Sequence, residues 1–144
     1  MQDFKLIGLA AAMLALGVGL GYYVYSSVDD TGLINAFNFA VSETENFRSA
    51  HPADDRFTEA DVPTLSTNRY LVAHDLAVKA NLAGGAIVYR MTLRDLNKRQ
   101  CARLEAHIAS ISDQFRAYSV NGEVMPKPTS ELCTAVSNDI SIVK

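Results

Sequence analysis

The side chains that most often perform chemistry in proteins do not fall into a catalytic or metal-binding pattern in this sequence. The histidines at positions 51, 74 and 107 are far apart, and none belongs to an H-E-x-x-H motif or a comparable ligand spacing. The pair Gly84-Gly85 lacks the lysine that follows in a phosphate-binding loop, so it indicates a turn at the entry to a strand. No serine lies in a nucleophile-elbow motif. The sequence therefore predicts no enzyme activity, no cofactor and no metal site.

Composition and charge favour one small domain attached to an apolar segment. The chain has 144 residues, a formal net charge of −3 and 49% hydrophobic residues. Part of the apolar share lies in one N-terminal block, and the roughly 115 residues after Asp29 can bury one core of their own. Neither part is basic enough to indicate a nucleic-acid-binding groove.

The N-terminal block has the length and composition of a membrane-spanning helix. Residues 6–28 carry no charged side chain, and at about 1.5 Å per residue they can cross a hydrocarbon core of about 30 Å. This is longer than the roughly 7–15 apolar residues of a cleavable signal peptide. Lys5 precedes the segment and Asp29 follows it, so the positive-inside tendency places the N-terminus in the cytoplasm and the rest of the chain outside.

Three glycines interrupt this apolar segment, at Gly17, Gly19 and Gly21. Gly17 and Gly21 form a small-xxx-small pair, which lets another helix approach closely. Because the chain has a single apolar span, the partner helix must come from another chain. Each glycine also weakens a helix by about 1 kcal/mol relative to alanine, so the segment predicts either a packing face or a local break of the helix.

A second, amphipathic helix is predicted directly after the apolar segment, over residues 29–50. It is expected to end before His51-Pro52, because the residue before a proline disfavours helical backbone. Its apolar stripe must be covered by the rest of the chain. The stripe consists of Leu33, Ile34, Phe37, Ala40, Val41, Thr44 and Phe47.

Residues 51–144 are predicted to form a head domain that provides this cover. A surface loop with one helical turn at 58–61 is followed by an ambiguous segment, 69–82, which fits either helix or strand. Further elements are a core strand at 86–93, a helix at 97–115, a hairpin turning at Asn121-Gly122, a short turn or helix at 128–137 and a last strand at 139–144. The predicted fold class is α+β, with a long N-terminal helix packed on a small antiparallel sheet and one further helix.

The predicted helix at 97–115 carries its apolar residues at helical spacing. His107 lies off this stripe, and we expect it to be a solvated surface residue. The stripe consists of Cys101, Leu104, Ile108, Ile111 and Phe115.

The chain has two cysteines, Cys101 and Cys133. If the head domain lies outside the cytoplasm, we expect a disulfide bond between them. Two buried free thiols are the alternative, and further ligands for a metal site are not evident.

Two blocks of the sequence resemble the type IV pilins, and most of all the type IVb class of bundle-forming, toxin-coregulated and conjugative thin-pilus subunits. The first block is the apolar and then amphipathic helix of residues 1–50, including Tyr22-Tyr23 and the Ser26–Asp29 run. The second comprises "YRMTLRDLNKRQCARLEAHI", "YSVNG" and "ELCTAVSNDISIVK". They are similar to the family's strand, cysteine-bearing helix, hairpin, second cysteine and closing strand. The resemblance implies the pilin fold, with residues 1–28 in the membrane or filament core, residues 29–50 as the continuation of that helix and residues 51–144 as the head.

One position departs from the family pattern. Pilins usually have a glutamate at the fifth mature position, which pairs with a neighbour's terminal amine, whereas this chain has Lys5. Asp3 is the only carboxylate before residue 29, and we expect it to neutralise Lys5, the amine of Met1, or both. The alternatives are that the mature terminus is not residue 1 or that the chain is an atypical or minor subunit. The resemblance further implies that the Gly17, Gly19 and Gly21 stretch can unwind when the helix moves from lipid into a filament.

From these features the sequence predicts a structural protein that polymerises into a helical homo-oligomer. The resemblance implies a precursor in the bacterial inner membrane, with the N-terminus inside and the head outside, which prepilin peptidase and the pilus assembly machinery convert into an extracellular pilus. A minor pilin or secretion-system pseudopilin shares the fold and is one alternative. A periplasmic binding or regulatory protein with a single membrane anchor is the other.

Overall fold

The computed structural model of the chain describes residues 30–125 and 132–144. The predicted apolar span lies outside these residues, and so do the predicted assembly residues Met1, Asp3, Lys5, Gly17, Gly19 and Gly21. In the described part of the chain, no helix has the length and hydrophobicity needed to cross a membrane.

Three α-helices occur in the described residues. The first, α1, covers residues 30–50 and ends just before His51-Pro52, as the sequence predicts. The second, α2, is the short helix Arg69–Ala73, whose first turn is capped by the side chain of Asn68. The third, α3, is Lys98–Ser110, and it begins with a reciprocal capping box in which Asn97 and Gln100 bond each other's backbone amides.

A five-stranded antiparallel sheet lies against these helices. Its strands have the spatial order β1-β2-β5-β3-β4, so the last strand in the sequence occupies the centre. A turn at Gly84-Gly85, where both residues have positive φ, joins the first two strands. The strands are β1, Ala77–Ala83; β2, Ala86–Leu96; β3, Ala117–Val120; β4, Glu123–Val124; and β5, Asn138–Val143.

The core is formed where α1 and α3 pack against one face of the sheet. Alternate residues of β2 and β5 supply the sheet's contribution, because side chains alternate between the two faces of a strand. The fully buried side chains include Leu33 and Ala40 of α1, Tyr89, Met91 and Leu93 of β2, Cys101, Leu104 and Ile108 of α3, and Ile142 of β5.

The segment between α1 and α2 contributes more to the core than the sequence predicts. The predicted turn is confirmed as a 3-10 helix, Glu59–Asp61, with Thr58 as its N-cap. A second 3-10 helix, Pro63–Thr67, follows it. The prediction of a surface loop is wrong for Phe57, Val62 and Leu65, which are at most 3% exposed. Phe57 packs against Phe47 and Tyr89. The apolar residues of this otherwise polar segment therefore belong to the core.

Two further predictions are resolved by the described structure. The ambiguous segment 69–82 contains a helix and then a strand, α2 and β1. The predicted helix at 97–115 is too long, because α3 ends at Ser110 and a 3-10 turn, Ser112–Gln114, leads to Phe115. The predicted class of mixed helix and antiparallel sheet is confirmed.

Candidate functional site

The solvent-facing side of α1 carries an uncharged polar stripe. From residue 33 onward α1 has three charged side chains, and each of them contacts the chain's own head domain. Glu43 accepts a hydrogen bond from Thr64, and Glu45 forms an ion pair with Arg48 beside Tyr89. The helix therefore presents amides and hydroxyls outward, on the side opposite Phe37 and the core. This α1 stripe consists of the exposed residues Asn35, Asn38, Ser42, Asn46 and Ser49.

A groove runs along one side of the α1 stripe. It has a volume of about 420 Å³ and separates α1 from the 3-10 turn after α3 and from Lys144. Its apolar wall is formed by Phe37, Val41, Ile111 and Phe115, and its polar rim includes the stripe residues Asn38, Ser42 and Asn46. The stripe and groove together form a continuous surface that another helix can cover without removing an unpaired charge from water.

A polar cluster fixes the C-terminal half of α1 to the sheet. The Glu45 carboxylate accepts a hydrogen bond from the Tyr89 hydroxyl at 2.9 Å, pairs with Arg48 and lies 3.8 Å from the Lys144 ammonium group. Arg48 also donates to the backbone oxygen of Ile87. Burial raises the pKa of Tyr89, and the negative charge of Glu45 raises it further. The Tyr89 hydroxyl therefore stays protonated and acts as the donor that holds Glu45.

The histidines occupy structural positions. His107 is half-buried, not fully solvated as predicted. Its ring lies 2.8 Å from the Asn38 amide oxygen and packs edge-on against Phe37, so it links α3 to α1. His74 is buried, with its Nδ1 atom 3.0 Å from the carbonyl of Arg94, and His51 stacks on Phe47. The periodicity of α3 alone could not reveal the His107 contact, because its partner is distant in sequence.

The disulfide bond between Cys101 and Cys133 is present. Cys101 is fully buried on α3, whereas Cys133 lies in the irregular segment before β5. At the first residue of β5, the side chain of the buried Asn138 donates to the carbonyls of Leu96 and Ala135 and accepts from the amide of Ala135. The disulfide and Asn138 together fasten the connection between β4 and β5 to α3 and β2.

Metal-ligating side chains do not cluster in the part of the chain that the structure describes. Over residues 30–125 and 132–144, no group of three or more metal-ligating side chains is close enough together to hold an ion. Of the site residues predicted from the sequence, only Cys101 and Cys133 lie within these described ranges. The structural features that bear on function are the α1 stripe and its groove, which sequence reasoning missed because the partners of Glu43 and Glu45 are distant in sequence. Comparison with protein-family models and with curated protein sequences finds no match to this chain.

Proposed function

We propose that this chain is a type IV pilin, most similar to the type IVb class, and that it polymerises through its N-terminal helices into an extracellular filament. The observation that carries the proposal is the α1 stripe. A helix that served only as the support of a soluble head would be free to carry charges on its outer face, yet α1 directs all three of its charged side chains after residue 33 toward its own domain.

The uncharged stripe suits a helix that becomes buried between copies. Burying an unpaired charge in a protein interior costs several kcal/mol, whereas amides and hydroxyls can bond to one another across a helix interface. The sequence before α1 supports the same role, because residues 6–28 are free of charge. We infer that this segment and α1 form one long helix, with the N-terminal part in the filament core and the head outside.

The arrangement of the head also supports the proposal. An antiparallel sheet covers one face of α1, a cysteine-bearing helix packs beside it, and the second cysteine precedes a closing strand placed at the centre of the sheet. This is the order of elements that the resemblance to pilins implies. No catalytic role is included in the proposal, and its partners are further copies of the chain, the inner membrane and the assembly machinery.

A pair of isosteric substitutions tests the proposal. Asn46→Asp adds a charge to the α1 stripe, and Asn81→Asp adds the same charge to an exposed position of β1. We expect Asn46→Asp to reduce filament yield severalfold in the native host, as measured by electron microscopy and by the amount of sheared surface protein. Asn81→Asp should give the wild-type yield, and both variants should have the wild-type melting temperature.

Two results would contradict the proposal. Equal filament yields from both variants would show that the α1 stripe is not buried between copies in a filament. A wild-type chain that stays in the membrane and is missing from surface filaments would favour the alternative of a singly anchored periplasmic protein.

A further inference from the structure

We propose that Asn121-Gly122, at the tip of the β3–β4 hairpin, is a site of spontaneous deamidation that the folded head keeps closed. The fold closes it by holding the Asn121 side chain against the start of β5, so the site reacts in chains whose β5 has separated from the turn. This site is distinct from the α1 stripe and does not depend on the proposed function.

An asparagine followed by a glycine carries the atoms for a reaction within the chain. The backbone nitrogen of Gly122 bonds to Cγ of Asn121 and gives its proton to water, while the bond from Cγ to Nδ2 breaks and Nδ2 takes up a proton and leaves as ammonia. Water then opens the cyclic imide at one of its two carbonyls, which gives aspartate or isoaspartate. Because glycine has no Cβ atom, its nitrogen can approach Cγ with little steric hindrance. Asn121 is the only asparagine in the chain that a glycine follows.

The turn itself is open to water. Asn121 and Gly122 are both exposed, and a Cβ atom at Gly122 would meet no atom of the described chain within 4 Å. Both residues have positive φ, as in a two-residue hairpin turn. Burial and crowding therefore do not protect the site, and any protection has to come from the contacts of the Asn121 side chain.

The Asn121 side chain is bonded to β5 through both ends of its amide group. Its Oδ1 atom accepts a hydrogen bond from the backbone amide of Asp139 at 2.9 Å, and its Nδ2 atom donates to Oδ1 of Asn138, also at 2.9 Å. Nδ2 also lies 3.4 Å from the carbonyl oxygen of Leu132. Attack by the Gly122 nitrogen makes Cγ tetrahedral and moves Oδ1 and Nδ2 out of the amide plane, so it has to break these bonds.

The partner of Nδ2 is itself fixed in place. Asn138 is 1% exposed, and its side chain donates to the carbonyls of Leu96 and Ala135. It therefore cannot follow the Asn121 side chain when that side chain moves. On the usual net strength of a hydrogen bond, the need to break two of them slows the reaction by about tenfold to a hundredfold.

The products of the reaction do not fit the closed turn. In both of them a carboxylate oxygen replaces Nδ2, and it would face the Oδ1 acceptor of Asn138 without a proton to share. Isoaspartate also adds a methylene group to the backbone of a two-residue turn. A chain that reacts while the turn is open therefore cannot remake the contacts between Asn121 and β5.

Peptide mapping of the full, oxidised chain in mild detergent tests the site. The native chain and the same chain in urea are incubated at mildly alkaline pH, and mass spectrometry follows deamidation and isoaspartate formation at Asn121. We expect the reaction in urea, and a reaction at least about tenfold slower in the native chain. Equal rates in the two states would overturn the proposal, and so would the absence of a reaction in urea.

A pair of variants separates the side-chain contacts from the general effect of folding. Asn138→Ala removes the acceptor of Nδ2, whereas the control Leu104→Ala removes a buried side chain of α3 and lowers stability without touching the turn. Below the melting transition of both variants, we expect deamidation of Asn121 to be about tenfold faster than in wild type for Asn138→Ala and unchanged for Leu104→Ala. Equal acceleration in both would overturn the role of the side-chain contacts. The comparison of native and urea-treated wild type needs no variant, so it decides the proposal even if Asn138→Ala does not fold.

Discussion

Removal of the disulfide bond should lower the stability of the head domain by about 4 kcal/mol. Cys101 and Cys133 are separated by 32 positions in sequence. On the chain-entropy estimate, cross-linking a loop of this size lowers the entropy of the unfolded chain and so raises its free energy by about 3.7 kcal/mol. Loss of the fully buried Cys101 sulfur from the core adds a smaller packing cost. Small domains typically have a total stability of roughly 5–15 kcal/mol, so the expected loss is a large fraction of it.

The native structure itself should survive the loss of the bond. Asn138 still bonds Ala135 and Leu96, and Ser137 still bonds Asp95, so the segment before β5 keeps anchors that do not involve sulfur. The effect should therefore appear as a lower midpoint of a cooperative transition, not as a partly unfolded native state.

Urea denaturation of the full chain in mild detergent, followed by circular dichroism, measures this effect. The double variant Cys101→Ala with Cys133→Ala avoids a single reactive thiol, and wild-type protein treated with a reductant is the matched control. Both should unfold at similar, lower urea concentrations than oxidised wild type. A free-energy difference below about 1 kcal/mol would refute the chain-entropy reasoning, and free thiols in denatured, unreduced wild-type protein would refute the bond itself.

Two further predictions concern buried polar groups. Burial and the charge of Glu45 raise the pKa of Tyr89 in the folded chain, so above about pH 10 the unfolded chain loses this proton while the folded chain keeps it. The free energy of unfolding should therefore fall with increasing pH, by up to about 1.4 kcal/mol per pH unit. Tyr89→Phe should show a shallower fall when the free energy of unfolding is measured between about pH 9 and 11, the range in which an ordinary tyrosine titrates. Asn138→Asp replaces the side-chain donor that faces the carbonyls of Leu96 and Ala135 with a buried acceptor. It should lower the free energy of unfolding, measured by thermal denaturation, by about 3 kcal/mol or more. The control Asn81→Asp changes an exposed side chain and should lower it by less than about 0.5 kcal/mol.

The elements with a strong local signal could be predicted from sequence. β2 is rich in branched and aromatic residues, the β3–β4 hairpin turns at Asn121-Gly122 with both residues at positive φ, and the Cys101, Leu104 and Ile108 stripe of α3 is buried. In each case a period or a turn residue directly reflects the backbone geometry.

Features that depend on distant contacts could not be predicted in the same way. Phe57 is buried because it packs between Phe47 of α1 and Tyr89 of the sheet, and His107 is held by Asn38, which is 69 positions away. The α1 stripe also required the structure, because only the positions of Thr64 and Tyr89 show that Glu43 and Glu45 face the head domain. A helical wheel alone gives the polar side of α1 but not the partners of its charges.

The central position of β5 in the sheet determines when the sheet can form during synthesis. In the described sheet, β2 and β3 are joined through β5, and β5 follows the other four of these strands in the sequence. Until residues 138–143 emerge, β1 and β2 can form a hairpin, but β3 and β4 have no sheet to join. We therefore expect the sheet to form in one step and only after residues 138–143 have been made, and a premature stop before residue 138 to leave a chain that quality-control proteases remove.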